Sequence, residues 1–202
     1  MDTDISICNL ALSLLAGNRI TSFTASVDDS VEAELCSDNY EQARDYTLEA
    51  RDWTFARTRV ELDKDTVAPD FGYGSKMELP EACLIARRVS SCSDFKTPID
   101  YSKEGRWILC DWDTIYVAYT RKETDVTLFS PSFTQALAYR IASILAIPLT
   151  ESKSLEKRME TKFQLEVMEA GGKDGTQSKV EQIRTTTLTS ARYRRGARRD
   201  WL

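Results

Sequence analysis

Apolar residues recur at every third or fourth position near the start of the chain, and this spacing predicts two helices. The first is expected over residues 4–16, with Thr3 or Asp4 as its cap and Gly17 as its stop. Its apolar face consists of Ile5, Cys8, Leu10, Ala11, Leu14 and Leu15. The second is expected over 29–53, after polar and acidic residues at 26–29 that suit a helix N-terminus. Its apolar face consists of Val31, Leu35, Cys36, Ala43, Tyr46, Ala50 and Trp53.

Between residues 57 and 129 the helical spacing stops, and short β-prone runs alternate with turn residues. The runs cover 85–92, 98–101, 106–110 and 114–120, of which the last, T-I-Y-V-A-Y-T, has the strongest strand pattern. Turns are expected at Glu104-Gly105 and at 111–113. Because these connections are short, the strands are expected to pair as an antiparallel meander.

Helical spacing returns at Ser130, which is a suitable N-cap, and Pro131 fits the first helical position because no N–H is needed there. The third helix is expected over 131–147, with Pro148 at its end. Its apolar composition predicts that it is the buried central helix. Arg140 is its only charged residue, and an unpaired buried guanidinium costs on the order of several kcal/mol. We therefore expect Arg140 to form an ion pair, with Glu49 or Asp45 of the second helix as its partner.

A fourth helix is expected over 153–170, with Ser152 or Ser154 as its cap and Gly171-Gly172 as its end. Its inward residues are Leu155, Met159, Phe163, Val167 and Met168, and charged residues fill the other side. The four helices and the β-prone region together predict an α+β protein, a four-helix bundle with an inserted antiparallel β domain. The bundle is assigned to 1–56 and 130–171, and the β domain to 57–129.

Residues 172–202, called here the arm, have few large apolar residues and no regular period, so we expect an extended C-terminal arm that is ordered only against a partner. Eight basic and three acidic residues give the arm a net charge of +5, which leaves −10 for residues 1–171. Its end, R-Y-R-R-G-A-R-R-D-W-L, combines arginines with Tyr193 and Trp201. Such a segment suits an acidic protein surface, or nucleic acid bound through phosphates and base stacking.

Composition narrows the classes of function. At 202 residues with 42% hydrophobic and 29% charged residues, the chain is expected to form one large globular domain or two small ones. It contains no histidine, which argues against a hydrolase triad and against a zinc site. The five cysteines are not spaced as a metal site and are expected to be reduced and mostly buried. The longest apolar run, 141–149, is too short to span a bilayer, and the first residues do not resemble a signal peptide, so the protein is expected to stay in the compartment where it is made.

The remaining candidates for chemistry have simpler explanations. Asp111 and Asp113, and likewise Asp28 and Asp29, could bind a cation, but turn and helix-cap roles explain both pairs. Gly72-x-Gly74 is too short a match for a nucleotide-binding loop. We therefore expect no catalytic residue, metal or cofactor.

The segment 53–80 is the most informative part of the chain, because it joins the second helix to the β-prone region. None of its prominent residues suits catalysis, so they are expected to have structural roles at the corner between helices and strands. These structural candidates are Trp53, Phe55, Arg57, Phe71, Tyr73 and Pro80, to which Arg140 is added.

Several phrases, in order, resemble the tail tubular protein A family of short-tailed bacteriophages, the head-to-tail adaptors. The phrases are I-C-N-L-A-L-S-L-L-A-G, Y-E-Q-A-R-D-Y-T-L-E-A-R-D-W-T-F-A-R, F-G-Y followed by L-P-E-A-C-L, E-G-R-W-I-L-C-D, V-A-Y-T-R and F-S-P-S-F-T-Q-A-L-A-Y-R-I-A-S-I-L-A-I-P-L-T. They extend over about residues 5–172, so the resemblance covers most of the chain but not the arm.

The resemblance implies a virion protein without enzymatic activity, in a twelvefold ring between the portal protein and the tail nozzle protein. Tail fibres are a further candidate partner, and double-stranded DNA would pass through the ring. No membrane partner is expected. On this hypothesis the arm binds the portal through Arg192, Tyr193, Arg194, Arg195, Arg198, Arg199 and Trp201. The alternative is a nucleic-acid-binding protein that uses the same arginine-rich tail.

Overall fold

The structure, a computed structural model, describes residues 3–175, with side chains to residue 172. It is a mixed α+β protein with four α-helices and two three-stranded antiparallel sheets. Two helices precede the six strands along the chain and two follow them. The expected α+β class is confirmed at this level. The predicted arm falls almost entirely on residues 176–202, which lie outside the described residues.

Helix α1, Asp4–Leu14, begins with a capping box in which Thr3 and Ser6 bond each other's backbone N–H groups. It ends two residues before the expected position, because Ala16 adopts a left-handed conformation with φ of 56°. The Gly17 N–H then donates to the Leu12 carbonyl at 3.0 Å. Thr3 is thus the cap, and the residues after Leu14 close the helix end.

Helix α2, Val31–Ala50, is shorter at both ends than the expected 29–53. Its N-cap is Ser30, whose hydroxyl accepts from the Ala33 N–H at 3.3 Å. It ends because Arg51 is extended, with φ of −151°. Trp53 therefore lies outside the helix, and the chain continues through a short 3-10 turn, Thr54–Ala56, into the first strand.

The six strands are β1 Arg57–Asp63, β2 Ser75–Glu78, β3 Cys83–Ser90, β4 Ser102–Glu104, β5 Trp107–Cys110 and β6 Thr114–Arg121. One sheet has the order β1-β6-β3 and the other β2-β5-β4. All pairings are antiparallel, as predicted, but the expected simple meander is wrong. The chain instead crosses between the sheets four times, through residues 64–74, 79–82, 91–101 and 111–113.

The sequence predictions in this region need correction at three places. Strand β2, Ser75–Glu78, lies outside every expected run. Strand β1 was not predicted, because charged residues occupy its outer positions and only Val60 and Leu62 are apolar. The run 98–101 does not form a strand, apart from a single bridge between Ser90 and Pro98. Proline cannot donate to a sheet, and pairing with β5 begins only at Ser102.

Helix α3, Pro131–Thr150, begins as predicted with Ser130 as N-cap and Pro131 in the first turn. It continues through Pro148, which removes only one hydrogen bond close to the helix end. Glu151 then ends it in a left-handed conformation, with φ of 54°. The helix packs against α1, α2 and α4, and most of its apolar residues are fully buried, so its predicted central position is confirmed.

Helix α4, Lys153–Gly175, follows α3 after a two-residue connection and passes the expected stop at Gly171. Gly171 lies against the guanidinium of Arg51, and an added Cβ atom would collide with it. The glycine thus leaves space for the Arg51 side chain against α4, and a larger residue would require that side chain to move. Met159 and Phe163 are buried as predicted, but Met168 is 73% exposed, so its assignment to the inward face is wrong.

The apolar residues form two clusters, one among the helices and one between the sheets. The second cluster includes Met77, Ile108, Val89, Ile115 and Val117, which come from both sheets, so the sheets share one core. By length and composition α3 could also cross a membrane, but the core helix of a water-soluble protein passes the same test. Its packing on three other helices accounts for its apolar composition.

Candidate functional site: the helix–sheet junction and two exposed surfaces

An aromatic cluster lies where the chain leaves the helices and where it returns to them. Phe55 is on the outgoing segment and Phe129 on the returning one, and their ring centroids are 5.5 Å apart. Both rings also contact Phe133 of α3, at 5.0 and 4.6 Å. The two crossing segments are therefore held together by direct ring contacts.

Trp53 anchors this cluster. Its ring is almost completely buried and meets Phe133 edge-on at 5.1 Å. Its indole N–H donates to the Thr47 carbonyl at 2.8 Å, which satisfies one of the free carbonyls near the end of α2. Trp53 is thus both a core residue and a hydrogen-bonding cap for the helix that precedes it.

Arg87 of β3 connects the sheets to the end of α2. Its guanidinium donates to the carbonyls of Leu48, Glu49 and Arg51 at 3.2, 2.8 and 2.7 Å. Its Nε also donates to the Thr120 hydroxyl at 2.8 Å. A register shift between Ala86 and Arg88 makes Arg87 the extra residue of a bulge, which turns its side chain toward the helix. A cation at a helix C-terminus is favourable because the carbonyls there carry partial negative charge.

Lys122, just after β6, forms a second connection between strands and α2. Its ammonium group contacts Glu41 and lies 3.1 Å from Asp45. The pKa of Lys122 is raised mainly by its hydrogen bond to Glu41 and, to a smaller extent, by its hydrogen bond to Asp45. The hydrogen bond between Lys122 and Glu41 also lowers the pKa of Glu41. Arg44 also pairs with both acids, so two cations and two carboxylates form one network.

Glu123 forms hydrogen bonds that order the start of the segment between β6 and α3. Its carboxylate is largely buried and accepts from the Thr124 and Asp125 N–H groups, both at 3.1 Å. It also pairs with Arg121. Neither Arg87, Lys122 nor Glu123 was singled out in the sequence. One sequence pattern could have identified Arg87 as a structural residue. Arg87 and Arg88 form a pair inside a β-prone run, where charged side chains are unusual unless they have partners.

The predicted structural residues do not all lie at this junction. Trp53 and Phe55 do, and Arg57 lies beside them in an ion pair with Asp52 at 2.9 Å. Pro80 lies in the short connection from β2 to β3, and the first residue of β3, Cys83, pairs with Arg121. Phe71 and Tyr73 are in the loop beyond the far end of β1, so the expectation that they belong to the corner is wrong.

Arg140 is paired, as predicted, but with a different partner. Its guanidinium lies 2.8 Å from Glu160 of α4 and stacks on the ring of Tyr46 at 4.2 Å. The expected pairing with Glu49 or Asp45 of α2 is wrong. Arg140 faces the space between α3 and α4, where a groove of about 540 Å³ is lined by this ion pair and by Ser143 and Lys157.

An exposed apolar surface lies at the end of the sheets farthest from the helices. We call it the tip surface and define it by Val67, Phe71 and Trp112. Phe71 and Val67 are in the loop 64–74 and Trp112 is in the turn 111–113, both of which cross between the sheets at this end. Phe71 is 88% exposed. Large apolar side chains on these two segments are thus available for contact with another molecule.

Hydrogen bonds hold the two parts of the tip surface in place. The Gly74 N–H donates to the Asp111 carboxylate at 2.8 Å, and the Lys64 N–H donates to the Asp113 carbonyl at 2.9 Å. The Lys64 ammonium also pairs with the Asp113 carboxylate at 2.7 Å. Asp111 and Asp113 thus have turn and loop roles, as expected from the sequence.

A groove of about 390 Å³ lies between β3 and the segment that follows it, and we call it the β3 groove. Its lining includes Arg87, Arg88, Phe95, Pro98, Ile99 and Tyr101. Phe95 has φ of 56°, an unusual conformation for a bulky residue, and the guanidinium of Arg59 lies 5.5 Å from its ring centroid. The groove therefore combines apolar walls with positive charge.

Among the described residues, no group of three or more Cys, Asp or Glu side chains is placed to hold a metal ion. Asp28 has a different role. Hydrogen bonds from the Ser30 hydroxyl and the Thr21 backbone N–H lower its pKa to about 2, which orders the start of α2. All five cysteines are free, as predicted, and Cys8, Cys36 and Cys110 are buried.

The arm residues Arg192, Tyr193, Arg194, Arg195, Arg198, Arg199 and Trp201 lie outside the described residues. The comparisons with known proteins do not assign the chain to a group: no family model matches it, and no curated protein matches it significantly.

Proposed function

We propose that this chain is a subunit of a head-to-tail adaptor of a short-tailed phage, in a ring that joins the portal to the tail nozzle. Under this proposal 1–56 and 130–171 form a helical bundle, 57–129 form an inserted β domain, and 172–202 form the arm. Double-stranded DNA passes through the ring, and the subunit has no enzymatic activity. The protein resides at the head-to-tail junction of the virion.

The observation that carries the proposal is the order of the phrases that resemble the family, taken together with the elements that they occupy. The first phrase falls on α1, the second on α2 and the turn after it, V-A-Y-T-R on β6 and the last on α3. The resemblance implies helices, then strands, then helices, and the chain has that order of elements.

The junction also suits a protein with a mechanical role. The aromatic cluster, Arg87 and the Lys122 network link helices and strands at three places. Relative movement of the two parts would break several of these contacts at once. A joint that resists the pressure of packaged DNA needs this kind of cross-linking between its parts.

Charge supports the passage of DNA. Residues 1–171 carry a net charge of −10, and like charge disfavours adhesion of the phosphate backbone. The basic arm, with its five arginines between 192 and 199, remains the proposed contact for carboxylates of the portal. A nucleic-acid-binding function that uses the same arginines is the second candidate, since guanidinium groups bind phosphate equally well.

Electron microscopy of the purified protein mixed with the cognate portal tests the proposal. We expect rings at the tail-facing end of the portal, and no rings on a portal mixed with an unrelated acidic protein of similar size. Rings absent at every protein ratio, together with tight binding to double-stranded DNA, would contradict the adaptor function and favour the second candidate.

A further inference from the structure

We propose that Phe71 of one copy docks in the β3 groove of a neighbouring copy. The inference rests on the proposed function in one respect, because it identifies how copies in a ring contact each other. A ring of identical subunits needs two different complementary surfaces on every copy, one for each neighbour. The tip surface and the β3 groove have the properties of such a pair.

The tip surface includes a large apolar side chain, that of Phe71, which is exposed to solvent. Phe71 is 88% exposed, so its ring makes little contact within its own chain. Burial of a phenylalanine side chain removes its apolar surface from water, which stabilises a complex. The loop that carries it is fixed by the bonds from Gly74 to Asp111 and from Lys64 to Asp113, so little order has to be gained on docking.

The β3 groove has the size and walls to receive such a ring. Its volume is about 390 Å³, and Phe95, Pro98, Ile99 and Tyr101 supply apolar and aromatic contacts. Phe95 has a left-handed backbone conformation, with φ of 56°, which is a strained state for a bulky residue, and its side chain lines the groove. Edge-to-face contacts between Phe71 and these rings would add specificity.

The charges of the two surfaces are opposite. Asp65, Asp70 and Asp111 accompany the tip surface, where Lys64 is paired with Asp113, whereas Arg88 lines the groove and Arg59 lies on the ring of Phe95. The described lining of the groove includes no carboxylate. Opposite charge favours tip-to-groove contact, and like charge disfavours the tip-to-tip contact that a two-fold dimer would need.

Phe71 does not fill the groove of its own chain. The tip loop begins beyond Asp63, which pairs with Thr114 at the start of β6. The groove is beside Arg88 and Val89, which pair with Ala118 and Val117 farther along the same strand. Together with the exposure of Phe71, this separation makes the contact intermolecular.

Site-specific cross-linking tests the contact. Two differently tagged variants, Phe71→Cys and Ile99→Cys, are mixed and treated with a short bismaleimide. We expect cross-linked pairs that contain both tags, and a ladder of higher oligomers from the double variant. The wild-type protein and each single variant alone measure the background from the five native cysteines. Cross-links between two Phe71→Cys copies, or no cross-link above background at the highest soluble concentration, would overturn the proposal.

Charge exchange gives a second readout that does not depend on added thiols. Asp70→Arg and Arg88→Glu are each expected to weaken self-association about tenfold, as measured by sedimentation, and the double variant is expected to recover most of it. Glu34→Arg, an exposed change on α2, serves as the control and should have no effect. Thermal melts check that each variant is folded. Equal losses in both single variants without recovery in the double variant would contradict a direct contact.

These results separate the inference from the proposed function. Rings on the portal that show no cross-link between positions 71 and 99 would refute the contact and leave the adaptor function intact. Cross-links of the expected kind without any binding to the portal would support the contact and refute the adaptor function.

Discussion

Arg87 shows how much one side chain contributes to the connection between helices and sheets. Its guanidinium bonds three carbonyls at the end of α2 and the Thr120 hydroxyl. We expect Arg87→Met, which keeps the apolar stem, to lower the free energy of unfolding by about 2 kcal/mol, because charged hydrogen bonds are lost. Urea denaturation measures the change.

Arg106 provides a matched control for Arg87, since it is also an arginine in the β-rich part of the chain. Its ion pair with Glu78 is long, at 3.5 Å, and both side chains are more than half exposed. Arg106→Met is therefore expected to change the free energy of unfolding by about 0.5 kcal/mol or less. Equal losses for the two variants would mean that the helix end does not depend on Arg87.

Arg140 permits a direct measurement of its pairing. A double-mutant cycle with Arg140→Met and Glu160→Gln is expected to give a coupling energy of about 1 kcal/mol, because the pair is only partly buried. The same cycle with Asp45→Asn is expected to give a coupling near zero, since Asp45 pairs with Arg44 and Lys122 instead. Coupling to Asp45 as strong as that to Glu160 would contradict the geometry.

The sequence predicted that Arg140 is paired but could not identify its partner. A single charge on an apolar helix indicates a partner from the cost of burial alone. The identity of the partner depends on the rotation of α3 about its axis and on the position of α4. Neither of these can be read from the residues near Arg140 in the sequence. Arg87 was missed for a related reason, because its role depends on a bulge and on a helix end far away in the chain.

At the scale of the element, the left-handed residue at the end of α3 allows a stabilising change. Glu151 has φ of 54°, a conformation that glycine adopts without steric cost. Glu151→Gly is expected to raise the free energy of unfolding by about 0.5–1 kcal/mol. As a control, Glu156→Gly inside α4 should lower it by about 1 kcal/mol, because glycine is unfavourable within a helix. Denaturant melts that rank the two variants in the opposite order would refute the assignment.

The start of α2 is expected to be sensitive to acid. Hydrogen bonds from Ser30 and Thr21 lower the pKa of Asp28 to about 2, below the value of about 3.9 for an unfolded chain. Because the folded pKa is lowered, the stabilisation is present above about pH 4 and is lost as the pH falls toward 2. Asp28→Asn should therefore melt at a lower temperature at pH 7, with a smaller difference from wild type near pH 2. A constant difference across this range would contradict the linkage.

Element types were predictable where the period was long, and element ends were not. Fifteen or more residues of regular spacing identified α2 and α3, but Ala16, Arg51 and Glu151 end helices through backbone conformations that no periodicity reveals. Strand β1 was missed because its outer face is charged, so its alternation contains only two apolar residues. Pro148 does not end α3 as predicted, because a proline near a helix end removes only one hydrogen bond.

At the scale of the whole molecule, the candidate surfaces were only partly predictable. The sequence predicts Phe71 at the corner between helices and strands, but it cannot distinguish a buried corner from an exposed tip. That distinction depends on the crossing of the chain between two sheets, which brings residues 71 and 112 to one end. The difference in net charge between residues 1–171 and the arm, in contrast, can be read directly from the composition. It is the sequence feature that most directly distinguishes the arm from the rest of the chain.

The arm yields the last prediction, and it concerns the portal. A net charge of +5 with Tyr193 and Trp201 near its end suits a partner that offers carboxylates and apolar pockets. Deletion of residues 190–202 removes five arginines and both aromatic residues, and it leaves every described residue in place. The truncated protein is therefore expected to keep the melting temperature of the full chain.

We expect the truncated protein to fail to join portal-containing heads, whereas its affinity for double-stranded DNA should equal that of the full chain. Co-sedimentation with heads and a DNA-binding titration at two salt concentrations measure the two properties, because phosphate contacts weaken steeply with salt. A variant in which Arg192, Arg194 and Arg195 are replaced by lysine is the matched control, since it keeps the charge but loses the planar guanidinium groups. If the truncated protein attaches to heads normally, the arm does not bind the portal. If DNA affinity falls instead, the arginines bind phosphate, and the second candidate function is favoured.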